Sequence, residues 1–139
     1  MAFTGPLEDR IAINDLVVTY GDAVTRRDGA AWGALWAEDG IWSLPGIPGM
    51  DRIEGRKAIV AAWTEGMKDF PFQVNRQNLS NLTVTGDTAA GDTYTAELVK
   101  DKEGKAAHWT NRYVDRFVKV DGTWLFAQRT LEILHIGSA

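Results

Sequence analysis

The chain contains no cysteine, which excludes disulfides, thiolate-held metals and a thiol nucleophile. Histidine is nearly as scarce: only His108 and His135 occur, and without an HxH or HxxxH spacing they do not suggest a protein-built transition-metal site. Cofactor-free chemistry is therefore the expectation. Basic clusters are missing beyond Arg26-Arg27, and 15 basic against 19 acidic residues give a net charge of −4, which argues against a nucleic-acid partner. No apolar run approaches the roughly 20 residues that span a bilayer. The opening MAFTGPLEDR lacks the basic and apolar regions of a secretory signal, so a cytoplasmic protein without a membrane partner is expected. At 139 residues the chain suits one domain, 1–139, able to bury a core unaided. Tryptophan, by contrast, is abundant: six occur, broad apolar surfaces that either fill a core or line a pocket.

The C-terminal quarter organises the rest. Two strand-like runs flank Asp121-Gly122, and Asp-Gly between such runs signals a tight hairpin. In the first arm, alternation puts Trp109, Asn111, Tyr113, Asp115 and Phe117 on one face, expected to be the inner one, and His108, Thr110, Arg112 and Val114 on the other. In the second arm, Leu125, Ala127, Arg129, Leu131 and Ile133 form one row and Trp124, Phe126, Gln128 and Thr130 the other. Both rows are largely apolar, so an outer surface including Trp124, Phe126 and Leu134 is expected to be covered by a second copy, in a homo-dimer or trimer.

Upstream, Pro6 suits a first helical position, and Ile13, Leu16, Val17, Tyr20 and Val24 recur at helical spacing. Ala30–Asp39 reads as a second helix and Gly40–Leu44, carrying Trp42, as a short strand. Pro45–Gly55 reads as a loop or lid. Ile59, Trp63, Met67 and Phe70 form the stripe of a third helix ending at Pro71. From Gln73 the pattern is all strand, with turns at Gly86-Asp87 and at DKEGK. Helices first and a meander after predict an α+β fold, a cone-shaped curved antiparallel half-barrel closed by N-terminal helices. The ligand site would be the mouth of the cone.

The segments AINDLVVTYGDAVTRRDGAAW, GRKAIVAAW, QNLSNLTV and RYVDRFVKVDGTWLFAQR together resemble the SnoaL-like branch of the NTF2-like superfamily over roughly residues 7–133. The resemblance implies the cone-shaped barrel. Its members include polyketide cyclases, scytalone dehydratase, hexachlorocyclohexane dehydrochlorinase, bile acid 7α-dehydratase and non-enzymatic relatives, so the fold alone does not settle function. The family's first-helix tyrosine or lysine falls on Tyr20, its late arginine on Arg129, and an acidic residue of one member near Glu97. The usual Asp–His base is missing: Thr25 and Gln77 stand at its two positions, and neither does that work at neutral pH.

Two readings of the inner polar set remain open. In one, Glu97 and Arg129 form a buried ion pair of purely structural value. In the other, which is the expectation here, they stand apart around a ligand: Glu97 is the base, Tyr20 the hydrogen-bond donor or acid, and Arg129 a stabiliser of developing negative charge. These three are the catalytic candidates. Val24, Thr25, Trp42, Trp63, Met67, Phe70, Gln77, Trp109, Asn111, Tyr113 and Leu131 are the candidate lining for a small hydrophobic ligand. The function expected is a cofactor-independent lyase or isomerase acting on an oxygenated ring compound. The alternative is a binding or accessory protein without the dyad, such as a dioxygenase small-subunit-like chain.

Overall fold

A computed structural model describes residues 2–139. Its sheet has seven strands in the order β1-β4-β5-β6-β7-β2-β3, curved and unclosed. The strands are β1 (Phe3–Thr4), β2 (Trp36–Ser43), β3 (Ile53–Glu54), β4 (Phe72–Thr85), β5 (Thr88–Lys100), β6 (Ala106–Val120) and β7 (Thr123–Ser138). Helices α1 (Leu7–Arg26), α2 (Gly29–Gly33) and α3 (Arg56–Met67) lie on the concave side. The central meander is antiparallel, as expected from the sequence. The flanking pairs β1–β4 and β2–β7 are parallel, because their partners lie far along the chain and approach by crossover. No described helix is long and apolar enough to cross a membrane.

Local chemistry accounts for most boundaries. α1 starts one residue after Pro6 and presents Ile13, Leu16, Val17, Tyr20 and Val24 to the core. It stops where Arg27 adopts a left-handed conformation at φ 59°. Asp28 caps α2, accepting the Ala31 N–H at 3.0 Å. The Asp121-Gly122 turn has both residues at positive φ, 49° and 80°, as a two-residue turn matched to the strand twist requires.

Two expectations fail here. The second helix does not run to Asp39: it ends at Gly33, and Trp36 already begins β2. The distant β7 recruits this stretch, with Trp36 opposite Phe126 and the Phe126 N–H bonded to the Leu35 carbonyl at 2.8 Å. Tertiary pairing overrides a locally helical sequence. The two-row reading of the second hairpin arm also fails. The register shifts between Arg116 and Phe117, whose partners are Gln128 and Phe126, so Ala127 is an extra residue that reverses the alternation. Trp124 and Phe126 therefore point inward and are 5% and 0% exposed. The apolar outer surface that included them is not there, and of that set only Leu134 is exposed.

The core is aromatic. Trp32 stacks on Trp63 with ring centroids 4.8 Å apart, and Tyr20, Trp36, Phe117 and Phe126 interlock with them or with one another at 5.3–6.3 Å. Helix α1 closes tightly onto β4 at Gly21, where a Cβ would lie 2.8 Å from the Asn75 carbonyl oxygen.

Candidate active site

A cavity of about 260 Å³ opens between the concave sheet face and α1, α3 and the loop after β2. The loop residues Leu44, Ile47 and Met50 form one wall. Trp63, Met67 and Phe70 form another; Phe70 comes from the turn after α3 rather than from the helix itself. Trp42, Trp109, Tyr113 and Leu131 line the sheet side, with Val24 and Tyr20 from α1. The two aromatic sets expected to share one cavity do so. Thr25, Gln77 and Arg129, also candidates, are not on its wall.

The polar end is built around Glu97. Its Oε1 accepts Gln73 Nε2 at 2.5 Å and Asn75 Nδ2 at 2.7 Å, and its Oε2 accepts Asn111 Nδ2 at 2.9 Å. Gln77 Nε2 in turn donates to Asn75 Oδ1 at 2.8 Å, so a file of side-chain amides points its N–H groups at one carboxylate. Such convergence favours the ionised form. Burial acts more strongly in the opposite direction and raises the Glu97 carboxyl above the usual glutamate range, while the three amides and the Arg129 charge lower it.

Gln73 and Asn75 were not among the sequence candidates. Their signal was present: Gln73, Asn75 and Gln77 alternate on β4 and share one face. Thr25 has a different task. Its hydroxyl accepts the Asn75 N–H at 2.9 Å and donates to the Gly21 carbonyl at 2.9 Å, fastening α1 to the strand that carries the amides.

Arg129 does not pair with Glu97. It meets Asp115 in a two-pronged bond, Nε to Oδ1 at 2.7 Å and Nη2 to Oδ2 at 3.0 Å, and Thr93 Oγ1 adds a bond to Asp115 at 2.7 Å. Both charged side chains are fully buried. The reading that set Arg129 with Glu97, as a pair or across a ligand, is corrected, because the Ala127 bulge brings Asp115 directly opposite Arg129. The guanidinium carbon lies over the rings of Tyr113, Tyr20 and Phe126 at 3.9, 4.4 and 4.4 Å from their centroids. Arg129 thus lies behind the two tyrosine rings that border the cavity.

Tyr113 accepts the Trp42 indole N–H at 3.1 Å, which leaves its own O–H free to donate. Burial raises its pKa, opposed by the Arg129 charge and then by the Trp42 bond. Tyr20 is raised further, by burial first and then by neighbouring Tyr113. Both stay protonated near neutrality and can donate but not abstract a proton. Two carboxylates border the cavity: Glu97 is largely buried, whereas Asp69 is exposed and paired with Lys102 at 3.3 Å.

Comparison with known proteins agrees with this architecture. The chain superposes on the LinA structure with a TM-score of 0.86 at 23% identity, covering 96% of this chain and 90% of that one. A Novosphingobium aromaticivorans protein described as a candidate aromatic ring hydroxylase gives 0.82 at 28% identity, with 98% and 96% covered. Another from the same organism, described as a candidate scytalone dehydratase, gives 0.83 at 20%, with 96% and 89% covered. No curated protein matches by sequence. The SnoaL-like domain model matches residues 5–130, and with the curved sheet, the α1 tyrosine and the late β7 arginine in place, the chain belongs to the SnoaL-like family of the NTF2-like superfamily.

Proposed function

We propose that this protein is a cofactor-independent lyase or isomerase acting on a small hydrophobic ring ketone. The observation that carries the reading is Glu97, a carboxylate held by three amide N–H groups on the wall of an aromatic cavity, with pKa raised by burial. A base removing a carbon-bound proton gains from such a rise. Glu97 takes the proton next to the carbonyl, and the Tyr113 O–H, supported by Tyr20, donates to the carbonyl oxygen as negative charge develops there. The enolate electrons then expel a group from the neighbouring carbon, or the proton returns further along and the double bond shifts. Structural neighbours described as a hexachlorocyclohexane dehydrochlorinase and as a candidate scytalone dehydratase add support for elimination. The volume of about 260 Å³, below the roughly 300–1,000 Å³ typical of ligand pockets, suits one or two fused rings.

In this reading Arg129 is a positioning residue, tied to Asp115 and polarising the tyrosines from beneath. Glu97→Gln is expected to lower turnover of cyclic ketones by about a thousandfold or more while changing stability by only about 1 kcal/mol. Tyr113→Phe is expected to lower turnover about a hundredfold. Unchanged rates in both would leave the second reading, a small-molecule-binding protein, which Thr25 and Gln77 at the dyad positions favour. A homo-dimer or trimer is part of the same proposal, supported by the half-exposed Tyr94, Val114 and Leu134.

A further inference from the structure

Gln77 lies off the cavity wall, yet three observations tie it to the carboxylate on that wall. The first is direction. Asn75 stands opposite Glu97 in the sheet, and Gln77 is two residues along β4 on the same face. Gln77 Nε2 donates to Asn75 Oδ1 at 2.8 Å, and Asn75 Nδ2 donates to Glu97 Oε1 at 2.7 Å. An amide has a donor end and an acceptor end, so a donor seated on Asn75 Oδ1 decides which end faces Glu97. Were Asn75 turned over, its N–H groups would meet those of Gln77 and its carbonyl would meet the carboxylate. The second observation is a cost. Gln77 Oε1 is buried with no hydrogen-bond partner among the described residues, and such an orphaned acceptor is rare. The side chain leaves its own acceptor unpaired while it delivers a donor to Asn75. The third is space. A Cβ at Gly21 would lie 3.0 Å from Gln77 Cγ and 3.4 Å from Asn75 Oδ1, so α1 carries no side chain where this bond is made.

We infer that Gln77 is a positioning residue: by occupying Asn75 Oδ1 it keeps the Asn75 N–H on Glu97 and stabilises Glu97 as the carboxylate. The inference rests on the reading of Glu97 as a base only for its value in catalysis, since the positioning belongs to the resting protein. Gln77 cannot itself take a proton at neutral pH, but it acts on the group that can. Side-chain length matters as well, because an asparagine at 77 is one methylene shorter and falls short of Asn75. The other charged or titratable groups around Glu97 are Arg129 with its partner Asp115, Tyr113, Tyr20 from α1 and, at the mouth, Asp69 paired with Lys102. All of them remain when Gln77 is replaced by a neutral residue, so a change in Glu97 then reports the amide file.

The test observes the Glu97 carboxyl directly and needs no substrate, so its failure is separate from failure of the lyase reading. Carbon-13 NMR of protein labelled at the glutamate carboxyls follows Glu97 through a pH titration, its signal identified by its absence from Glu97→Gln. Gln77→Met keeps the length and neutrality of the side chain and removes both ends of the amide. Gln77→Asn keeps the amide and shortens the reach, and is the milder change to the fold. In both, Glu97 is expected to bind its proton at least about threefold more tightly than in the wild type, because a carboxylate that loses a donor is less stabilised. Thr25→Val is the control. It loosens the same strand by removing the hydroxyl bonded to the Asn75 N–H and the Gly21 carbonyl, leaves the amide file intact, and is expected not to move the Glu97 midpoint. Melting curves establish that each variant is folded before it is titrated. An unmoved or lowered midpoint in the Gln77 variants, or an equal rise in Thr25→Val, overturns the inference. A raised midpoint confined to the Gln77 variants, with no turnover of cyclic ketones by the wild type, would sustain it and refute the lyase reading.

Discussion

Replacing Asp115 by Asn would leave the buried Arg129 charge without its counter-ion, and breaking a buried pair from one side costs about 3–5 kcal/mol. Chemical denaturation of Asp115→Asn should show that loss, whereas Asp115→Leu combined with Arg129→Met should recover most of it. Glu97 predicts a dependence of the opposite kind on acidity. Its folded pKa lies above the ordinary value of 4.5, so the native state holds the proton more tightly than the unfolded chain does. Its contribution to stability is therefore complete at low pH and is lost as pH rises from the ordinary value through the folded one. Stability profiles of wild type and Glu97→Gln should diverge in that window, and the acid limb of kcat should lie above the usual glutamate range. At this scale Glu97, Tyr113 and Asn111 were legible because alternation on an unbulged stretch places them inward. The Arg129 partner was not. A strict two-residue hairpin sets Asp115 opposite Gln128, and one extra residue at Ala127 moves it opposite Arg129.

That bulge also governs the element scale. Deleting Ala127 would remove the bulge yet leave Phe126 opposite Phe117 and Arg129 opposite Asp115, so that Trp124, Phe126, Arg129 and Leu131 would all alternate inward on one regular strand. Retained cooperative melting without aggregation is the expected result, measured by circular dichroism and light scattering. Arg27 matters for the cavity mouth: its guanidinium donates to the Phe70 and Met67 carbonyls at 2.8 and 2.7 Å, holding the turn after α3 in place. Arg27→Ala should speed amide hydrogen exchange over residues 67–72 by about tenfold, with the sheet unaffected. The first arm of the hairpin, α1, α3 and the meander could be read from period and turn chemistry. The start of β2 could not, since the sequence around Leu35 and Trp36 has a helical pattern and its strand partner is distant.

For the whole molecule, light scattering at micromolar concentration tests the proposed assembly against the 15.3 kDa of one chain, and a mass two or three times larger is expected. The parallel pairing of β2 with β7, Trp36 opposite Phe126 and Trp42 opposite Arg129, has a further consequence during synthesis. β7 leaves the ribosome after every other strand of this sheet. Until then α1 can close onto β4, but β2, with Trp36 and Trp42, has no strand to pair with on that side. Folding must wait for the final strand, and closing so long a loop is slow. Translation arrested anywhere before Thr123 should thus yield a protease-sensitive chain that depends on chaperones for its solubility.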